Sequence, residues 1–289
     1  MAELSNDKLQ VVIADKGAEL QSIIRKDLDI EYLWSGDPAF WAKKSPVLFP
    51  VVGGLKGNKY EYDGHSYTLG RHGFAREQVF EIVEHSPEHL TFRLTDNEET
   101  RKVYPFRFIF DIRYFISGEQ LKVTYEIKNT GKDALFFSVG AHPAFRLPLV
   151  AGTTYEDYYL HFNKPENADR WILSPEGQIA DAPVPYLDET QQLPLNKSLF
   201  YNDALVFKQL QSSAVSILSE ATPHGLEINI EGFPYLGIWA AKDADFVCIE
   251  PWCGIADHVS ATGKLEEKEG IIRLPAGDSF ERHWTATFF

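Results

Sequence analysis

The sequence is poor in cysteine, with two in 289 residues, and has one methionine and no long apolar run. Each scarcity excludes something. Cys248 and Cys253 read as reduced thiols of a cytosolic protein, so a disulfide-stapled scaffold is ruled out. No stretch nears the ~18 consecutive apolar residues that a membrane span needs. The opening Met-Ala-Glu-Leu-Ser-Asn-Asp-Lys has neither a basic region nor an apolar one, so no secretory leader is expected and a cytoplasmic location is. Positive charge is also short: 28 Lys and Arg stand against 42 Asp and Glu, a net charge of −14. Neither nucleic acid nor an anionic membrane surface is therefore an expected partner.

Several chemistries lack their motifs as well. There is no HExxH or CxxC pattern, and Pro87 between His85 and His89 disfavours a metal-binding helix there. No GxSxG elbow supports a serine hydrolase. Gly53-Gly54-Leu55-Lys56-Gly57-Asn58-Lys59 is glycine-rich, but without phosphate-loop spacing it reads as a turn. A long 3.6-residue apolar stripe is missing, so helix is expected to be scarce.

Aromatic residues and alternation are abundant instead. Phe and Tyr number 20 and 13, which favours strands and supplies flat surfaces for sugar rings. Phe106, Phe108, Phe110, Ile112, Tyr114 and Ile116 fall on one face of an alternating run. After Ser-Gly-Glu-Gln the alternation resumes in Leu121, Val123, Tyr125 and Ile127. Asn-Thr-Gly-Lys then leads to Leu135–Ala141, which predicts a three-strand antiparallel meander. Residues 90–95, 226–231 and 280–288 repeat the pattern. Asp37-Pro38 marks a short capped turn through Phe40-Trp41-Ala42, and residues 163–200, carrying five prolines, are expected to be a long loop. The pattern predicts one all-β domain over residues 1–289, a large antiparallel β-sandwich.

Two places combine a titratable group with a stiffened backbone. His142 follows an apolar strand and precedes Pro143; Glu250 follows Phe246–Ile249 and precedes Pro251. Period two puts Glu250 on the face of Phe246 and Cys248, and His142 on that of Phe136, Ser138 and Gly140. Side chains on the latter face shrink toward the histidine, which predicts ligand space above the strand end. Taken singly, such groups are more often structural; as a pair they suit acid and base work. Arg71-His72-Gly73-Phe74-Ala75-Arg76 could line a polar pocket, though without context it reads first as a charged hairpin edge.

In order and spacing, six segments together resemble the aldose 1-epimerase (galactose mutarotase) family, closest to its LacX-like branch. They are Leu33–Pro38, Leu48–Gly53, Arg71–Arg76, Gly140–Phe145, Ile249–Trp252 and Lys268–Ile271. The resemblance implies a β-supersandwich of the galactose mutarotase type and interconversion of α and β anomers without cofactor or metal. By motif, Glu250 matches the general base and His142 the general acid. On this mechanism Glu250 is expected to be ionised and His142 cationic at rest. His72 matches a second pocket histidine that contacts substrate. Asp203 falls where the family has a hydroxyl-binding aspartate, with Asn202 as the alternative register. Related sequences carry an arginine after the Phe-Pro-x-x-Gly stretch; here that position is Gly54, leaving Lys56, Arg71 or Arg76 to substitute. The implied partner is a small-molecule sugar, a hexose or hexose phosphate, and a homodimer is compatible with the resemblance. A hexose-6-phosphate mutarotase and a non-catalytic sugar-binding protein are the alternatives on the same fold.

Overall fold

The computed structural model describes all residues, 1–289. Its largest element is a 14-stranded antiparallel sheet. Toward one end of it the strands Phe108–Ser117 and Gln120–Asn129 pair residue for residue, Gln120 opposite Ser117 through Asn129 opposite Phe108. The alternating residues Phe108, Phe110, Ile112, Tyr114 and Ile116 are all buried, as the sequence pattern requires. A second sheet of four strands, from Ala2 to Glu31, packs on this one. The Arg25 guanidinium of this sheet donates to Phe288 O, and beside the strands Tyr32 packs on Phe288, at 4.9 Å between ring centroids, while the Tyr114 hydroxyl donates to Ala18 O. No helix is long and apolar enough to cross a membrane.

Three expectations need correction. The meander stops at two strands. Gln120–Asn129 has Ser279–Phe288 as its other neighbour, and Leu135–Phe137 pairs with Ile272–Leu274. Asn129 redirects the chain: its side-chain amide donates to Asp133 O and Leu274 O, while its oxygen accepts from Gly131 N–H. Residues 163–200 are not a loop. They lie mostly in two 16-residue strands, Tyr158–Leu173 and Ile179–Pro194, paired with four register shifts. The second strand has no other neighbour, so its prolines sit on an edge where missing donors cost little. One α-helix, Glu98–Val103, was unexpected; an Asn97–Thr100 capping box starts it.

The strand Phe246–Cys253 positions the site. Val139–Gly140 and Ala144–Arg146 both pair with it, with Gly140 opposite Trp252 and Ala144 opposite Cys248. Carried through the gap, that register sets His142 across from Glu250. The ladder opens there because Pro143 and Pro251 each lack an N–H. Only Ala141 N–H to Pro251 O bridges it, at 3.0 Å. Glu250 therefore sits within a strand that runs on to Cys253, not at a strand tip. The space predicted above the strand end is a cleft at His142, while Gly140 itself is covered, since a Cβ there would stand 2.7 Å from Trp252 Cδ1.

Candidate active site

His142 and Glu250 face one cleft of about 470 Å³, within the usual range for small-molecule sites. His142 Nε2 lies 3.3 Å from Glu250 Oε2. The pair makes no hydrogen bond in spite of that distance: Glu250 Oε2 and His142 Nδ1 are buried without a partner. Two close groups that are not aimed at each other can both reach a third molecule. Glu250 is 1% exposed and His142 8%. Burial raises the Glu250 carboxyl well above its ordinary range, offset only in part by the Trp252 indole N–H. Burial also lowers the His142 imidazole, to about 3. Desolvation thus works against the charge expected at rest on each of the two groups.

Aromatic rings fix the imidazole. Trp41 stacks on it at 4.9 Å and 29° between planes, and Trp239 meets it edge-on at 5.6 Å. Both indoles line the cleft and are partly exposed. The capped Asp37 turn delivers Trp41, whose N–H donates to Asp37 O. Trp239 lies opposite Cys248 on the Glu250 strand. Neither indole was singled out from sequence as a site residue; a tryptophan in a turn or strand carries no local sign of where it points.

His72 has a left-handed backbone, φ 67°. It exchanges two hydrogen bonds with Gly53: its N–H donates to Gly53 O at 2.9 Å, and its Nδ1 accepts from Gly53 N–H at 3.1 Å. With Nδ1 accepting, the neutral ring carries its hydrogen on Nε2. Its ring stands edge-on to His142 at 5.8 Å. Burial, followed by the nearby His142 and arginines, keeps the ring from charging. Gly53 is required here, since a Cβ at its φ of +72° would lie 2.5 Å from the Ala256 Cβ. The glycine-rich stretch is thus a wall of the cleft as well as a turn.

Arg71 and Arg76 also line the cleft, which overturns the hairpin-edge interpretation of their segment. The Arg76 guanidinium donates to Arg71 O at 2.9 Å, while its Nε is buried without a partner. Arg71 folds over Gly177, where a Cβ would be 1.6 Å from its terminal nitrogen. Its Nε also lies 4.0 Å from where a Gly54 Cβ would stand. Lys56 is exposed and lies outside the cleft lining. Asp203 lines the cleft and its neighbour Asn202 does not, which favours the aspartate register. Lys242 and Phe200, also unremarked in the sequence, complete the rim.

Residues 1–285 match the family model described as aldose 1-epimerase. The chain is 32% identical to the chromosomal protein LacX of Lactococcus lactis subsp. lactis over 99% of this chain and 98% of that protein. A galactose mutarotase related enzyme from Lactobacillus acidophilus superposes with a TM-score of 0.95 at 37% identity, covering 100% of this chain and 97% of the other. A galactose mutarotase-like protein from Lactobacillus casei gives 0.94 at 29% identity, with both chains covered in full. The protein whose cleft brings His142 and Glu250 together belongs to the aldose 1-epimerase family.

Proposed function

We propose that the protein is a mutarotase acting on a hexose, with Glu250 as general base and His142 as general acid. Glu250 takes the proton of the C1 hydroxyl while His142 delivers one to the ring oxygen. The C1–O5 bond breaks, the aldehyde turns about C1–C2, and the steps reverse from the other face. Over the cycle protons given and taken balance, so no cofactor is needed. Desolvation of both groups suits this scheme: it favours one proton shared between them, and hydroxyls bound to the carboxylate favour placing that proton on His142. Each group can contribute about 10²–10⁴-fold. His72 Nε2–H and Asp203 hold hydroxyls, and Trp41 and Trp239 supply stacking faces. The chain acts as one domain, consistent with a core of 71 buried residues that runs from Ala2 to Phe288.

The observation that carries this reading is the 3.3 Å approach of His142 Nε2 to the buried, partnerless Glu250 Oε2 in one cleft. Polarimetry or NMR exchange of freshly dissolved α-aldoses tests it, with wild type and Glu250→Gln side by side. No catalysed anomerisation of any aldose by wild type, with sugar binding retained, would leave a sugar-binding protein instead. A phosphorylated substrate is a second reading. It is favoured by Arg71 and Arg76, which line the cleft and make no salt bridge to any carboxylate. Rates on hexose 6-phosphates against free hexoses separate the two.

A further inference from the structure

Behind the acid–base pair lies a third group that mutarotation does not use. Cys248 shares the Glu250 face of its strand, two residues away, and its thiol is fully buried. Donor atoms of His142, Cys248 and Glu250 all lie within 4.8 Å of one another. Three points so placed share a centre no more than about 2.8 Å from each. Zinc needs about 2.0–2.3 Å to nitrogen, oxygen and sulfur, so shifts of at most about 0.5–0.8 Å per ligand suffice. The 3.3 Å between His142 Nε2 and Glu250 Oε2 already matches two ligands at tetrahedral angles on one zinc ion, which stand about 3.3 Å apart. Both residues are more than nine-tenths buried, and Glu250 Oε2, the atom that faces His142 Nε2, has no hydrogen-bond partner. A cation bound between them is one species that would satisfy it.

We propose that His142, Cys248 and Glu250 form a binding site for a thiophilic divalent cation such as Zn²⁺ or Cd²⁺, and that the cation excludes the sugar. Three protein ligands leave a fourth position toward the cleft, the arrangement of an open zinc site. The metal takes the thiolate, so the Cys248 proton leaves for solvent, and any proton held by Glu250 leaves with it. Nothing is oxidised or reduced. Since the ligands include the two groups assigned to proton transfer, occupancy stops mutarotation. That consequence rests on the proposed function; the binding does not. No local motif announces the site, because His142 reaches it from another strand.

The test titrates the full-length protein with Cd²⁺ and follows thiolate-to-cadmium charge-transfer absorption in the ultraviolet, with Zn²⁺ affinity measured in parallel by calorimetry. One equivalent of cadmium should develop the band in wild type and in Cys253→Ser, the variant of the other buried thiol. Cys248→Ser should lack the band and bind Zn²⁺ at least about 10-fold more weakly, since even outer-shell losses cost about 10–100-fold. His142→Gln, which keeps the thiol, should weaken cadmium binding too, and it serves if Cys248→Ser fails to fold. Saturating sugar should compete with the metal. No band in wild type, or a band lost with Cys253 rather than Cys248, overturns the site. A band in a protein that catalyses no anomerisation would leave the site standing and remove the proposed function alone.

Discussion

Two acid–base pairs are buried in this molecule, and they differ in how completely they are satisfied. Lys268 Nζ donates to Asp257 Oδ1 at 2.9 Å and to Ile255 O, and the second Asp257 oxygen accepts from Lys56 N–H at 2.8 Å. Its neighbour in type, His142 with Glu250, leaves two buried polar atoms without partners. Both pairs sit beside the same wall: Asp257 N–H donates to Gly54 O, and Ile255 and Ala256 line the cleft. A saturated buried pair holds chain segments together. An unsaturated one pays a desolvation cost that only a ligand can recover, and this is how a site of chemistry differs from a structural one.

The largest effect expected from breaking this comparison is at Glu250. Glu250→Gln should lower kcat/KM by about 10²–10⁴-fold, read by polarimetry, yet leave the protein no less stable at neutral pH. The sign follows from proton linkage. Burial raises the folded-state pKa of Glu250 above its ordinary value of 4.5, so the folded protein binds this proton more tightly than the unfolded chain. Stability from this group is intact below pH 4.5 and is lost as pH climbs through the folded value. Glutamine does not titrate, so its advantage in thermal melts should widen with rising pH. A variant that melts progressively below wild type as pH rises would refute the assignment of burial as the dominant cause.

The saturated pair should behave oppositely. Lys268→Met strands a buried carboxylate and should cost about 3–5 kcal/mol in urea unfolding. Adding Asp257→Asn should recover part of that loss, because the stranded charge goes with it. Activity per folded molecule should fall far less than in Glu250→Gln. A loss under about 1 kcal/mol would mean that Asp257 finds water or another partner, and that the contrast between the pairs is not one of satisfaction.

A pH–rate profile sharpens the same contrast. On the proposed mechanism His142 and Glu250 share one proton, and moving it from one to the other leaves the count unchanged. With His142 lowered to about 3, a second proton does not join near neutrality. With Glu250 raised, the shared proton departs only above the usual carboxylate range. In the presence of a chelator, kcat/KM should therefore stay level through about pH 6.5, where a free imidazole titrates, and fall on the alkaline side. A limb centred on the free-imidazole value would show that His142 titrates as an exposed group.

Much of the site was legible in the sequence because its two central residues are marked by proline. His142-Pro143 and Glu250-Pro251 each announce a break in a ladder, and the fold sets the two breaks opposite each other. Alternation likewise made the faces of Phe108–Ser117 and Gln120–Asn129 readable. What alternation cannot carry is the identity of the neighbour: Leu135–Phe137 looks like a third meander strand and pairs elsewhere. Proline count misled over residues 163–200, because an edge strand tolerates the donors that a central one needs. Trp41 and Trp239 converge on His142 only through long-range packing. The desolvation that opposes the expected resting charges was hidden for a similar reason, since burial is a property of the assembled cleft.

Arg71 offers a third case, a charge at the cleft rim with neither a partner nor full burial, and it should give the smallest effect. Gly177 has φ +78°, and the atom nearest to a Cβ there is the terminal nitrogen of Arg71, the mobile end of a long side chain. Gly177→Ala should therefore displace the guanidinium at a backbone cost of about 1–2 kcal/mol, leaving His142 and Glu250 where they are. The expected result is a several-fold rise in KM with kcat little changed, since uniform binding is lost and transition-state contacts are not. If the guanidinium reads an anion, the rise will be larger for a hexose 6-phosphate than for the free sugar, because a charge-assisted hydrogen bond is about twice as strong as a neutral one. Equal KM values in variant and wild type for both sugars would place Arg71 outside the substrate's reach, and the volume beside Gly54 would then be an empty corner of the cleft rather than a binding position.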